Sequence, residues 1–166
     1  LAGLTAGMLV KVEELTPDAS QVRLFHTSVT RANATWPSWP GEPGFTGDFA
    51  EFVAQTFPTS TAGDFAVLEA GIVSEETYAE QGLYWETGHH PLLEYMIETY
   101  QPDLALVGYP VTDEFQHQFL GLVSPTVPDG SPNPAFDDVQ LDGVPDDRVD
   151  VREGFIRRAY EGADAT

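Results

Sequence analysis

The most informative part of the sequence is the segment at residues 102–117, which reads PDLALVGYPVTDEFQH. Within it, residues 104–109 form a short, continuous apolar run, which is typical of a β-strand buried on both faces. The residues before it predict a helix, because Pro91 suits a first helical turn and apolar side chains then recur at helical spacing as far as Tyr100. A helix that leads directly into a buried strand predicts an α/β fold.

Asp113 and His117 follow the predicted strand with the spacing D-x-x-x-H. In α/β proteins, ligands bind outside the carboxyl ends of the strands. If residues 113–117 form a helical turn, both side chains lie on one face, where a carboxylate and an imidazole can bind one zinc ion. The pair therefore predicts part of a metal site, and the alternative is a solvated aspartate beside an ordinary histidine.

The same segment, continued to Gly121, resembles the second metal-ligand segment of the type I phosphodiesterase/nucleotide pyrophosphatase family, a branch of the alkaline phosphatase superfamily. Residues 157–165, RRAYEGADA, resemble the family helix that leads towards a Ser-Asp-His-Gly metal segment. The resemblance covers residues 88–125 and, more loosely, residues 148–166. It implies an alkaline-phosphatase-like α/β fold and a hydrolase of phosphate esters, such as small-molecule diesters or nucleotides.

This resemblance implies that Asp113 and His117 bind one of two divalent metal ions, with zinc as the expected metal. In such enzymes a threonine or serine alkoxide attacks phosphorus. The chain has no Ser-Asp-His-Gly segment and no Asp-Gly metal strand near its start, so the nucleophile and the other ligands are expected outside it, and the chain alone is expected to be inactive. Thr59 and Thr61 superficially match a Pro-Thr-x-Thr nucleophile region, but they follow a predicted amphipathic helix instead of a buried strand.

The chain is strongly acidic, because its 27 acidic and 7 basic residues give a formal net charge of -20 at pH 7. Such a surface excludes binding to the backbone of nucleic acids, and phosphate chemistry would need bound cations to reverse the local sign. The absence of cysteine leaves oxygen and nitrogen as the metal ligands. No apolar run approaches 18 residues, so no membrane span is predicted, although the chain could be the mature part of an exported protein.

Residues 124–150 form a predicted loop rich in proline, glycine and aspartate. Asp138 and Asp142 partly match a calcium-binding loop, but Val149 stands where such a loop has a bidentate glutamate. A noncatalytic acidic interaction module or calcium-binding module is therefore the rival hypothesis. A stand-alone hydrolase with a reduced site is a third.

The predicted domain organisation places strands, helices and a cap or insert region in residues 1–87, and part of a metal-binding catalytic core in residues 88–166. A β-hairpin is predicted within the first 30 residues, because apolar residues alternate with charged ones there. The other predicted helices cover three segments. These are residues 47–57, residues 64–80 with a helix start at Ser74, and a last helix with an Asp150/Glu153 capping box and a buried stripe of Val151, Phe155 and Ala159.

Overall fold

The computed structural model describes residues 6–30, 47–57 and 63–165. These residues form one antiparallel β-hairpin and five helices, so the predicted mixed α/β class is confirmed. The chain divides into two compact units, Leu1–Leu106 and Val107–Thr166. The elements in chain order are β1 (Val10–Leu15), β2 (Val22–His26), α1 (Phe49–Thr56), α2 (Phe65–Glu69), α3 (Glu75–Tyr100), α4 (Pro110–Val123) and α5 (Val149–Asp164).

The β-hairpin confirms the prediction for the first 30 residues. Val12 pairs with Leu24, and a bulge follows Val12, where the strand register shifts. One face of the hairpin contacts α3 through Lys11, whose Nζ donates to Thr77 Oγ1 at 2.8 Å and lies 2.8 Å from Glu80 Oε2. The charged side of β1 therefore faces α3, whereas Val10 and Val12 on its other side are 56% and 54% exposed.

The core of the first unit lies between α1 and α3. Asp48 caps α1 by accepting a hydrogen bond from the Glu51 N–H at 3.1 Å, which places the apolar residues of α1 on one face. That face packs against α3, so the predicted helix at residues 47–57 is confirmed. The predicted stripe of α3 is confirmed in part, because Leu92 and Met96 make this contact but Ile97, which the spacing also places in the stripe, is 46% exposed. The side chains in contact are Phe49, Phe52, Val53 and Phe57 from the first segment and Leu92, Tyr95 and Met96 from α3.

Helix α3 joins two segments that the sequence predicts as separate helices. Ser74 is its N-cap, as predicted, but the helix then continues through Pro91 to Tyr100. The prediction of a separate helix that starts at Pro91 is therefore wrong. Packing on α1 compensates for the hydrogen bond that proline cannot donate. The predicted helix at 64–80 is also divided, since Gly71 at φ 65° breaks it between α2 and α3. The predicted domain boundary after residue 87 falls inside α3.

The predicted buried strand at residues 104–109 is wrong. This segment has no regular secondary structure, and Leu104 and Leu106 are 75% and 91% exposed. A strand buried on both faces needs neighbouring strands and a layer on each side. Within the part of the chain that the structure describes, β1 and β2 form the only sheet and pair with each other, so residues 104–109 have no sheet to join.

The second unit is built from α4 and α5. Pro110 occupies the start of α4, and Val111, Phe115 and Phe119 form its buried stripe. Phe119 packs on Phe155 of α5, with ring centroids 5.2 Å apart. None of the helices in the described residues is long and apolar enough to cross a membrane.

Helix α5 is confirmed, but two details of its prediction are wrong. Its N-cap is Arg148, and Asp150 lies in the first turn without a capping hydrogen bond. The Asp137 carboxylate already accepts the N–H groups of residues 147 and 148, so the loop itself provides the acceptor at this helix start. Val151 is 39% exposed, and Arg152, at 1% exposed, takes its place in the buried stripe.

Candidate functional site

Asp113 and His117 lie on the exposed face of α4. The helix buries its Val111 and Phe115 side, which directs residues 113 and 117 towards solvent on the opposite side. His117 Nε2 lies 3.4 Å from Asp113 Oδ1, and the two side chains are 78% and 72% exposed. The predicted arrangement, a carboxylate and an imidazole together on one helical face, is therefore present.

Within the described residues, the pair has no third ligand nearby. Among residues 6–30, 47–57 and 63–165, no group of three or more histidine, aspartate or glutamate side chains is arranged to hold a metal ion. A structural zinc site uses four protein ligands and a catalytic one uses three. Asp113 and His117 therefore provide two of the three or four protein ligands that such a site needs.

An open groove of about 770 Å³ begins at this pair and follows α4. Its floor is the exposed face of the helix, including Leu120 and Ser124. Its opposite wall comes from the loop after α4, including Val127 and Pro128. The two candidate ligands thus face a cleft large enough for a small organic molecule.

The wall of the groove is fixed to α4 by Asn133. Its Nδ2 donates to the carbonyl oxygens of Gly121, at 2.6 Å, and Ser124, at 2.8 Å, while its Oδ1 accepts from the Ala135 N–H at 3.0 Å. Carbonyl groups at the end of a helix lack partners within the helix, so one amide side chain satisfies two of them. The loop and the end of α4 consequently form one hydrogen-bonded structure.

A hydrogen bond also joins α4 to α5 beside the groove. Gln116 Nε2 donates to the Tyr160 hydroxyl group, and Gln116 is itself a lining residue of the groove. Tyr160 is half exposed, at 50%. This contact holds the Gln116 side chain next to His117.

The acidic loop is organised around one buried cation, Arg152. Its Nη2 lies 2.6 Å from Asp146 Oδ2, and its Nη1 lies 3.4 Å from Asp137 Oδ1. Burial alone would raise the pKa of Asp146, but hydrogen bonds from Arg152 and the Val139 N–H outweigh it and leave this pKa lowered. Periodicity alone does not identify Arg152 as a buried cation, although it lies three residues before Phe155 on the buried stripe.

The two aspartates of the proposed calcium loop hold backbone turns. Asp138 accepts the N–H groups of Asp142, at 3.1 Å, and Gly143, at 2.7 Å. Asp142 in turn accepts the Val144 N–H at 2.9 Å. These bonds explain the loop conformation without a bound ion, and calcium binding stays an untested prediction.

Two further groups bear on the predicted site. Thr59 and Thr61, the weaker nucleophile candidates, lie outside the described residues. Glu86 on α3 is 5% exposed, its Oε1 has no hydrogen-bond partner, and burial raises its pKa. Glu86 lies in the first unit.

No protein-family model, curated protein or solved structure matches this chain. The residues of the second unit and their geometry are therefore what indicates a function. The most specific feature is the pair Asp113 and His117 at the end of the groove.

Proposed function

We propose that this chain supplies a half-site for a divalent metal ion, with zinc as the expected ion, to a hydrolase of phosphate esters. The proposed enzyme class is the phosphodiesterase/nucleotide pyrophosphatase type, and the proposed parent fold is alkaline-phosphatase-like. Asp113 and His117 are the proposed ligands. The chain is a part of the proposed enzyme, so turnover is expected only when the nucleophile and the other ligands are present.

The observation that carries this proposal is the separation of 3.4 Å between Asp113 Oδ1 and His117 Nε2. This separation is longer than a good hydrogen bond between nitrogen and oxygen. Two ligands of a tetrahedral zinc ion, each about 2.1 Å from the metal, lie about 3.4 Å apart. The pair therefore fits two corners of a zinc tetrahedron without a change of helix geometry.

The charge of the chain adds a second argument. At a net charge of -20, the protein repels a phosphate ester at long range. A divalent ion held by Asp113 and His117 would give one end of the groove a positive charge and would polarise a phosphoryl oxygen.

Zinc titration of the full chain tests the metal proposal. We expect Asp113→Ala and His117→Ala each to weaken zinc binding about tenfold or more, because each removes one of two ligands. Competition with a chromophoric chelator at pH 7.5 measures the affinity. At pH 5.5 the affinity should fall, since protons compete with zinc for the imidazole.

The matched controls are Asp103→Ala and His26→Ala, which remove an exposed aspartate and an exposed histidine from the first unit. Neither should change the zinc affinity. If Asp113→Ala and His117→Ala bind zinc as the unmodified chain does, the metal proposal is wrong. Calcium binding that is lost in Asp138→Ala would instead favour the rival acidic module.

A further inference from the structure

The groove extends well beyond the proposed metal ligands. It follows α4 from Asp113 to Ser124, a distance of about 16 Å at 1.5 Å per residue. Asp113 and His117 occupy one end, and they are the only ionisable groups among its described lining residues. An anionic group placed further along would therefore meet no cation in the groove.

The centre of the groove is apolar. Leu120 lies about one helical turn beyond His117 and about two turns beyond Asp113, and it leaves 48% of its surface exposed to solvent. Val127 and Pro128 face the groove from the loop on the other side. A ligand that covered these three side chains would remove apolar surface from water, which favours binding.

The far end of the groove is polar but uncharged. The hydroxyl groups of Ser124 and Thr126 line it, next to the Asn133 side chain that fixes the loop. Gly130 sits in the turn of the same loop at φ 85°, a conformation that favours glycine. The wall is thus formed before any ligand arrives, so binding needs little ordering of the chain.

We propose that the centre and far end of this groove bind the uncharged alcohol portion of a phosphate ester, an alcohol that carries an apolar ring. The inference rests on the proposed function in one respect, because it places the phosphate at Asp113 and His117. The ring lies between Leu120 on one side and Val127 and Pro128 on the other. Polar substituents of the ring reach the hydroxyl groups of Ser124 and Thr126.

A metal-free titration separates this inference from the zinc proposal. The ¹⁵N-labelled full chain is titrated in EDTA with 4-nitrobenzyl alcohol and, separately, with 4-nitrobenzoate, which has a similar shape and a negative charge. We expect saturable shifts of the Gly121 and Gly130 amide signals with the alcohol and much smaller shifts with the benzoate. Leu120→Gln should weaken alcohol binding about fivefold, since part of the apolar contact is lost.

Leu141→Gln is the matched control, because Leu141 is 66% exposed in the same unit and does not line the groove. Val127→Gln tests the opposite wall and should weaken binding like Leu120→Gln. Equal shifts with alcohol and benzoate, or binding that neither lining substitution weakens, would overturn the inference. If the alcohol binds as expected but zinc does not bind, the inference about alcohol binding is supported and the metal proposal is wrong.

Discussion

At the scale of single residues, Arg152 connects several parts of the second unit. Its guanidinium group is 1% exposed and contacts the carboxylates of Asp137 and Asp146. Those two carboxylates also accept backbone N–H groups of the loop and of the start of α5. One buried cation therefore links the loop to the helix.

We expect Arg152→Met to destabilise the second unit by about 3 kcal/mol, because it leaves two carboxylates without their buried cation. Urea denaturation followed by circular dichroism at pH 7 measures this change. Arg157→Met, an exposed position on the same helix, is the control and should change stability by less than about 0.5 kcal/mol. A similar loss in both variants would contradict the role of the buried contact.

The same substitution has a predictable dependence on pH. The pKa of Asp146 is lowered from 3.8 in the folded chain, so its stabilising contribution is present above about pH 4 and is lost as the pH falls through the folded value. The stability difference between the unmodified chain and Arg152→Met should therefore shrink below pH 4. Urea denaturation of the unmodified chain and of Arg152→Met at pH 7 and at pH 3 measures this difference.

At the scale of elements, α3 is unusual because a proline lies inside it. Pro91 cannot donate a backbone hydrogen bond, and a proline in a helix interior costs about 3 kcal/mol relative to alanine. The packing of Leu92, Tyr95 and Met96 on α1 offsets this cost. Helix α3 thus depends on its tertiary contacts more than on its local sequence.

Pro91→Ala should stabilise the first unit by about 1 to 3 kcal/mol, since the Thr87 carbonyl gains a donor and the ring no longer crowds the preceding turn. Thermal unfolding followed by circular dichroism at 222 nm gives the measurement. Pro110→Ala is the control, because Pro110 occupies the first position of α4, where no intrahelical donor is needed. An unchanged or lower stability for Pro91→Ala would show that α1 requires the proline geometry.

The elements also show what local sequence patterns can predict. The hairpin and α1 follow from periodicity over a few residues, and the structure confirms them. The spacing of Asp113 and His117 predicts a shared face if residues 113–117 form a helical turn, and α4 provides that turn, although the sequence patterns do not predict the whole helix at Pro110–Val123. A buried strand at residues 104–109 would need partner strands from elsewhere in the chain, and local periodicity carries no information about such partners. Arg152 was missed for a similar reason, since its burial depends on Asp137 and Asp146 in a loop without periodicity.

At the scale of the whole molecule, the net charge of -20 lowers the free energy of unfolding. Folding brings like charges together, and the resulting repulsion destabilises the compact state. Contacts between opposite charges, such as Lys11 with Glu80 and Arg152 with Asp146, offset part of this repulsion. The stability of the chain should therefore depend on ionic strength.

Raising sodium chloride from about 10 mM to 500 mM shortens the screening length from about 30 Å to about 4 Å. A gain on the order of 1 kcal/mol in stability would raise the Tm by about 2 to 4 °C. Magnesium chloride at the same ionic strength should have the same effect if screening is the cause. No change in Tm with sodium chloride would contradict the prediction.

The position of Asp113 and His117 on one continuous helix has a consequence for how a metal would bind. Helical geometry fixes their spacing, so an ion that has bound one side chain meets the other at a high local concentration. The entropy of bringing these two ligands together is already spent when α4 forms. In such a chelate, the residues that complete the coordination sphere decide the final affinity and the choice of metal, while this helix decides where the ion is held.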